Sequence, residues 1–445
     1  MDKKYKILII THYFPPINSI ASHRSYSWAK YWSRMGHNIT VLTTKKEPKS
    51  NDLNLDCSFF KVIEAENVIW GKLKEKLKGL KDKEGENIKE NYKNNENIKY
   101  KVKKFFIYII KLLHKRGLFN TIRMPDQNDL IINKSTSYII NDKYDIVVST
   151  AGPYNVHIIA YKYKKKYPDT FWVADYRDLW TQNHIFKGLF PFTIIEECLE
   201  NIVNHKADLI TTVSKPLADK IKNKYKIDNV EVIENGFDPD DFKNLPPEPY
   251  WKDDKVRLVY TGTFYAGKQD PSPLFEAINQ INNSIYKDLL NKLEVIFVGG
   301  AKGDFDFLVK KYNVSNWVKH EGFKPREDSL RMQRDAHALI FLEFESKNVD
   351  GILTGKLFEY LYSGTKILGI GVTDNSAPGK IIKESGCGIN FGKDVEKIKN
   401  YSIELLKTGK KDTVNTNNEI LEKFSRKNLA EKLMDIIEKY MLNIC

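Results

Sequence analysis

The sequence predicts an α/β protein made of two Rossmann-like βαβ domains, and three observations lead there. At 445 residues the chain is too long for one ordinary core, and its 41% hydrophobic and 12% aromatic content can supply two. A strand–turn–helix rhythm begins at YKILIITHYFPP and restarts at VRLVYTGTFYAGK. The strand candidates are continuous apolar runs, such as Ile7 to Ile10, which fit parallel sheets covered by helices on both faces.

Composition narrows the function classes. The four cysteines, Cys57, Cys198, Cys387 and Cys445, form no CxxC pair, which argues against zinc and redox motifs and fits a reduced, cytoplasmic setting. The opening MDKKYKILII is too short for a secretory signal and reads as a first strand. No apolar run approaches the roughly 20 residues of a membrane-spanning helix. The net charge of +13 calls for a polyanion or a phosphorylated ligand. Nucleic acid is not expected, because no aromatic-interleaved module or zinc-finger spacing is present.

In the first domain, expected over 1–242, a strand at Ile7–Ile10 leads through loop 12–22 into a helix over 25–35, closed by Gly36. That loop lies at the carboxyl end of a parallel strand, where open α/β sheets bind ligands. His12 reads either as a site residue or as a hydrogen-bonded loop histidine. A Lys/Glu/Asn-rich insertion spans 71–104, expected as a solvated helix or a disordered loop. Within the basic insertion 71–119, residues 101–119 form an apolar face ringed by lysines. This face fits either a helix lying on an anionic membrane surface or one docked on the core. The strands of YDIVVSTAGPYNVH and TFWVADYRDLW place Tyr154, Asp175, Arg177 and Asp178 just past apolar runs. Such a cluster marks a ligand site or a salt-bridged loop. A linker is expected at 243–254, around Pro246, Pro247 and Pro249.

The second domain, expected over 255–420, repeats the pattern. Gly262 follows its first strand, where the backbone can approach a ligand, and Lys268 stands in the following loop as a mobile cation. Gly299 and Gly300 end the next strand, and the loop at Gly322 carries Phe323 and Lys324. The stretch GILTGKLFEYLYSGTKILGIG, 351–371, organises the rest. Thr354 is the expected N-cap, with Gly355 and Lys356 in the first turn and Leu357, Phe358 and Leu361 on a buried face. A glycine-bearing turn opening a helix suits an anion, through free N–H groups and the helix dipole. Glu359, more than a turn further on, suits hydroxyls. The same pattern also fits an ordinary βα unit with a surface glutamate. A final helix is expected over 421–445, with a stripe of Leu429, Leu433, Ile436, Ile437 and Tyr440.

FPP followed by Arg24, GHNITVLT, VEVIENGF, TGKLFEYLYSG and FSRKNLAEKLMDII, in that order, resemble retaining glycosyltransferases of family 4, of the bacterial surface-polysaccharide type. The resemblance implies a GT-B fold whose two domains face each other across a cleft, with the last helix crossing back to the first domain. It implies transfer of a sugar from a nucleotide-sugar donor to a glycan or lipid-linked acceptor, and since no metal triplet is evident in the sequence, neither metal nor cofactor is expected. Donor contacts would come from Asn18, Gly262, Thr263, Lys268, Gly299, Phe323, Leu353, Thr354, Gly355 and Glu359. Lys268 would stabilise the leaving diphosphate, Glu359 would hold the ribose, and Asp178 would serve catalysis. Tyr154, Asp175, Arg177 and Asp178 would face the acceptor. The chain departs from the family at Gly351, where the first of two glutamates eight positions apart is usual, and at Thr263, where an arginine is usual. Arg326 or Lys324 would replace that arginine's charge. The first loop carries Asn18, Ser19 and Ala21 where glycines are common, and Arg177-Asp178 stands where a His-Asp pair is common. These departures leave a non-catalytic nucleotide-sugar binder at the membrane as an alternative, and an epimerase of the same fold as another. A dinucleotide oxidoreductase is weaker, since no GxGxxG follows the first strand.

Overall fold

The computed structural model describes residues 3–46, 53–66, 123–126, 129, 131–183, 186–302, 305–344 and 353–444. The basic insertion 71–119 and Gly351 lie outside them. The chain divides into two units, Met1–Ile233 with Leu433–Cys445, and Glu234–Lys432.

The first unit is a parallel sheet of β1 (Lys6–Thr11), β2 (Asn38–Thr44), β3 (Lys61–Ala65), β4 (Ile146–Thr150), β5 (Phe171–Tyr176), β6 (Leu209–Thr212) and β7 (Val230–Val232). Their order is β3-β2-β1-β4-β5-β6-β7, so the order reverses between β1 and β4. Ile9 pairs with Val41 on one side and Val148 on the other. Helix α1 (Ile20–Arg34) begins before the expected position 25, because the Ser19 hydroxyl accepts from the Ser22 amide and caps it. Between strands run α2 (Ile132–Ile139), α3 (Asn155–Lys166), α4 (Phe192–Lys206) and α5 (Lys215–Tyr225).

A buried ion pair ties α1 to the sheet. Arg24 donates from Nε and Nη2 to the Asp175 carboxylate at 3.1 and 2.8 Å, and both side chains are enclosed. Asp175 also accepts from the hydroxyls of Thr150 and Thr211, at 2.7 and 2.8 Å. Burial alone would raise the Asp175 pKa. The Arg24 guanidinium and the two hydroxyls outweigh it and hold the carboxyl below its usual range. The acceptor role expected of Asp175 is therefore corrected: every oxygen is engaged by the protein, and none of the residue is exposed.

In the second unit β8 (Val256–Thr261), β10 (Leu293–Val298), β12 (Val318–Gly322), β13 (Ala338–Leu342), β14 (Ile367–Ile370) and β15 (Gly388–Gly392) form a parallel sheet of order β12-β10-β8-β13-β14-β15. A separate short ribbon joins β9 (Phe264–Tyr265) to β11 (Ala301–Lys302). The apolar runs are continuous because both faces are covered. Leu258, Tyr260, Val295, Phe297 and Ile340 join one core cluster, while Val259, Ile296, Val298, Leu339 and Phe341 join another. Helices α6 (Pro239–Lys243), α7 (Ser272–Asn282), α8 (Phe305–Lys311), α9 (Arg326–Asp335), α10 (Gly355–Tyr362), α11 (Ala377–Glu384), α12 (Val395–Thr408), α13 (Asn418–Lys423) and α14 (Arg426–Ile444) complete the chain.

The proline-bearing segment 243–254 is not a free linker. It lies in the second unit, the Tyr250 amide donates to Asp335 at 2.8 Å, and Arg257 covers the Trp251 ring at 4.7 Å. Two aromatic side chains there bury more favourably than they solvate, so the strap docks.

Asp175→Ala leaves Arg24 buried and unpaired, and should cost about 3–5 kcal/mol in urea unfolding. Asp178→Ala, at an exposed position, should cost no more than about 0.5 kcal/mol. Because the Asp175 pKa is depressed in the fold, its stabilisation is present above the unfolded carboxyl's pKa and is lost as pH falls through the folded value. The variant's stability should therefore vary less with pH across the acid limb.

Candidate functional site

In the second unit the strand order reverses between β8 and β13, and the groups suited to a ligand gather past the carboxyl end of β8. Gly262 has φ +109°, and a Cβ there would meet the Lys356 Cε at 3.1 Å. Gly299 has φ +122°, and a Cβ would stand 2.5 Å from the Gly262 carbonyl oxygen. Only glycine lets these two backbones approach so closely. Gly300 lies beside the Phe323 ring, which is 66% exposed and offers a flat apolar face. Thr263 is half-buried, and its carbonyl accepts from the Tyr260 hydroxyl at 2.9 Å.

Helix α10 starts at Gly355 with Thr354 as the extended N-cap residue, in agreement with the sequence. Leu357, Phe358 and Leu361 are buried. The Thr354 side chain makes no capping bond, and its buried Oγ1 has no partner. The Leu357 amide donates to the Thr354 carbonyl at 3.1 Å, while the Gly355 and Lys356 amides ahead of it are uncapped by that side chain. Leu353 is half-buried just before them.

Lys356, in the same first turn, donates from Nζ to the Tyr260 hydroxyl and lies over that ring at 3.8 Å from its centroid. Desolvation lowers its pKa to about 7, with Glu359 opposing the shift. Among the described residues Lys356 makes no ion pair. It is a candidate site residue that the sequence reading passes over. Its signal was position: a lysine two residues after an N-cap, one turn before an acidic residue.

Glu359 is held from two sides. Arg326 Nη1 donates to Oε1 at 3.0 Å and Gln333 Nε2 to Oε2 at 3.3 Å. Arg326 Nη2 also donates to Asp241 at 2.5 Å. Buried Arg426 at the start of α14 is close enough to feel both acids, and burial lowers its pKa to about 10. Gln333 also donates to the Thr261 hydroxyl at 3.0 Å, while its Oε1 is buried and unpartnered. Arg326 pairs with two carboxylates and Lys324 with Glu321 at 2.9 Å, so both cations expected to replace the arginine absent at Thr263 have acidic partners.

Lys268 is exposed in a turn that Gln269 anchors. The Gln269 Oε1 accepts from the Tyr265 amide at 3.1 Å and lies 3.0 Å from the Tyr260 hydroxyl, the same hydroxyl that meets Lys356. Lys268 and Lys356 therefore belong to one neighbourhood.

In the first unit the expected acceptor residues separate. Tyr154 is 6% exposed, stacks on Trp180 at 4.8 Å and donates to the Leu179 carbonyl at 2.9 Å. Its hydroxyl is engaged, so like Asp175 it is framework. Arg177 is half-buried, donates from Nε and Nη2 to the Ala151 carbonyl at 3.0 and 2.9 Å, and covers the Tyr13 ring. Asp178 and Asn18 are exposed. His12 bonds the Thr44 hydroxyl at 2.8 Å, and burial, aided by Lys46 and Arg177, lowers its pKa to about 3.

No protein-family model matches the sequence, and no curated protein matches it. Solved structures do resemble the fold. TarM matches with a TM-score of 0.58 at 11% identity, over 98% of this chain and 99% of that one. Sucrose-phosphate synthase from Thermosynechococcus elongatus matches with a TM-score of 0.55 at 12% identity, over 98% and 99%. HepE of Anabaena, solved in complex with UDP-glucose, matches with a TM-score of 0.53 at 11% identity, over 98% and 100%. The fold is thus the α/β fold of GT-B glycosyltransferases, as the sequence predicts.

Gly299→Ala should cost at least about 3 kcal/mol, since strain at positive φ adds to a backbone clash. Gly267→Ala, also at positive φ but with open space around it, should cost only about 1 kcal/mol. Urea unfolding of the two variants measures the difference.

Proposed function

We propose that the protein is a retaining glycosyltransferase that moves a sugar from a nucleotide-sugar to a glycan or lipid-linked glycan acceptor in bacterial surface-polysaccharide synthesis. The observation that carries this reading is Lys356, an ammonium without an ion-pair partner among the described residues, set over Gly262 at the uncapped N-terminus of α10. Helix amides and a desolvated cation at one point suit a diphosphate. Glu359, oriented by Arg326 and Gln333, suits the ribose hydroxyls. Phe323 offers its face to the base.

In the reaction, the bond from the sugar's anomeric carbon to the diphosphate oxygen breaks, and its electron pair goes to the diphosphate. An acceptor hydroxyl forms the new bond on the same face, and its proton passes to the leaving phosphate oxygen. Negative charge grows on the diphosphate in the transition state. Lys356, Lys268 and the α10 amides stabilise that charge in place, which lowers the barrier. Asp178 and Arg177 serve the acceptor side. We further propose that no metal is needed and that residues 101–119 meet an anionic membrane surface. Among the described residues no helix is long and apolar enough to cross a membrane.

A donor screen tests the reading: UDP-, GDP- and ADP-sugars with membrane-lipid extract, following release of free nucleotide. Extract-dependent release with one donor, insensitive to EDTA, is expected. Lys356→Met and Glu359→Ala should each lower kcat/KM by about 10–100-fold, the value of a charge-assisted contact. Binding without release across the panel would favour the non-catalytic alternative.

Donor affinity should also depend on pH with a definite sign. Lys356 is charged below about pH 7 and neutral above it. A diphosphate prefers the charged form, so affinity should fall by about tenfold per pH unit above 7 until bound Lys356 also titrates. In Lys356→Met that slope should vanish. An unchanged slope in the variant would remove Lys356 from the donor site.

A further inference from the structure

Tyr260 stands near the carboxyl end of β8 and is fully buried, with its ring stacked on Phe297 of β10 at 5.0 Å between centroids. The core thus fixes the ring, and with it the hydroxyl. That hydroxyl meets three segments of the second unit. It lies 2.9 Å from the Thr263 carbonyl, in the turn after β8, and 3.0 Å from Gln269 Oε1, in the turn that carries Lys268. From the first turn of α10 it accepts the Lys356 Nζ.

The donors and acceptors here fit in one way. The Gln269 amide is oriented from both sides, since Oε1 accepts from the Tyr265 amide at 3.1 Å and Nε2 donates to the Leu342 carbonyl at 3.3 Å. It therefore offers the phenol an acceptor, as the Thr263 carbonyl does. The single phenolic proton is shared between those two oxygens, and the lone pairs are left for Lys356, which can only donate when charged. Burial pushes the Tyr260 pKa up, so the proton stays on the oxygen at neutral pH. The groups that bear on Lys356 are this ring and hydroxyl, the Gly262 backbone and, from its own helix, the Glu359 carboxylate.

We propose that Tyr260 is a positioning residue, whose hydroxyl joins the turn carrying Lys268 to the first turn of α10 and holds the Lys356 ammonium ready for a diphosphate. A lysine free in solvent loses rotamer freedom when it meets an anion; here the fold has removed that freedom beforehand. That the diphosphate belongs to a nucleotide-sugar rests on the transferase reading.

The experiment reads the lysines directly. The full chain is labelled with trace acetic anhydride across a pH series, with and without inorganic pyrophosphate, and acetylation at Lys356 and Lys268 is quantified by mass spectrometry. The hydroxyl favours the charged lysine, so removing it lowers the pKa. In Tyr260→Phe the Lys356 midpoint, expected at about pH 7 in the parent, should move down by about one unit. Pyrophosphate should protect both lysines saturably, about tenfold more weakly in the variant. Tyr401→Phe removes another hydroxyl of the second unit, bonded to Asp412 at 3.0 Å, and should move neither reading. Thermal unfolding checks that each variant is folded. If Tyr260→Phe does not fold, Gln269→Leu cuts the joint on its other side: protection of Lys268 should weaken by about tenfold, with the Lys356 midpoint in place. A midpoint unmoved in Tyr260→Phe, Lys268 protection unmoved in Gln269→Leu, or no pyrophosphate protection at either lysine overturns the proposal. Donor turnover is scored separately. A shifted midpoint and pyrophosphate protection without turnover of any donor would sink the transferase reading and leave Tyr260 in its role.

Discussion

Every strand in each sheet runs in the same direction, and this constraint arranges the rest of the molecule. Parallel strands put all their carboxyl ends on one edge and require both faces to be covered by helices. Polar side chains that could not be tolerated mid-sheet collect at that edge. In the first unit these are Thr11, Thr150, Asp175 and Thr211, and in the second Thr261, with Gln333 and Tyr360 bonded to it. Where the strand order reverses, no crossover helix fills the space between the two outgoing loops.

One buried group at each edge illustrates two opposite ways of managing charge. At the first, Arg24 and Asp175 neutralise each other, and two hydroxyls complete the carboxylate. Such a pair is stable because the hydrogen bonding is complete, and it leaves nothing for a ligand. At the second, Lys356 is desolvated against an aromatic ring and a hydroxyl, with no carboxylate in contact. Desolvation then appears as a lowered pKa instead of a salt bridge. A charge left uncompensated in this way is available to a ligand that supplies the missing anion.

Much of this was legible in the linear chain. Apolar runs located the strands, and positive-φ glycines stood where turns were expected. The N-cap of α10 and its buried face followed from residue type and a 3.6-residue period. The errors share a cause. In the sequence Asp175 and Tyr154 read as ligand contacts because polar groups past a strand end are often exposed, and Arg326 reads as a replacement for a missing arginine's charge. Each instead meets a partner distant in sequence: Arg24 for Asp175, the Leu179 carbonyl for Tyr154, and Asp241 for Arg326. Lys356 was missed for the converse reason, since a lysine on a helix usually reaches water.

The sequence by itself determined the class of fold, the order of strands and helices, and the positions where a backbone needs glycine. Those properties depend on local sterics and on the periodicity of apolar residues, which neighbours in the chain report directly. Only the tertiary structure decided which charges are neutralised and which stand open. A side chain's electrostatic state depends on what lies within a few ångströms, and Arg24 and Asp175 are 151 residues apart while Tyr260 and Lys356 are separated by 96. Periodicity carries no record of such encounters. The difference between a framework aspartate and a ligand-ready lysine therefore emerges only when the sheet brings its carboxyl ends together.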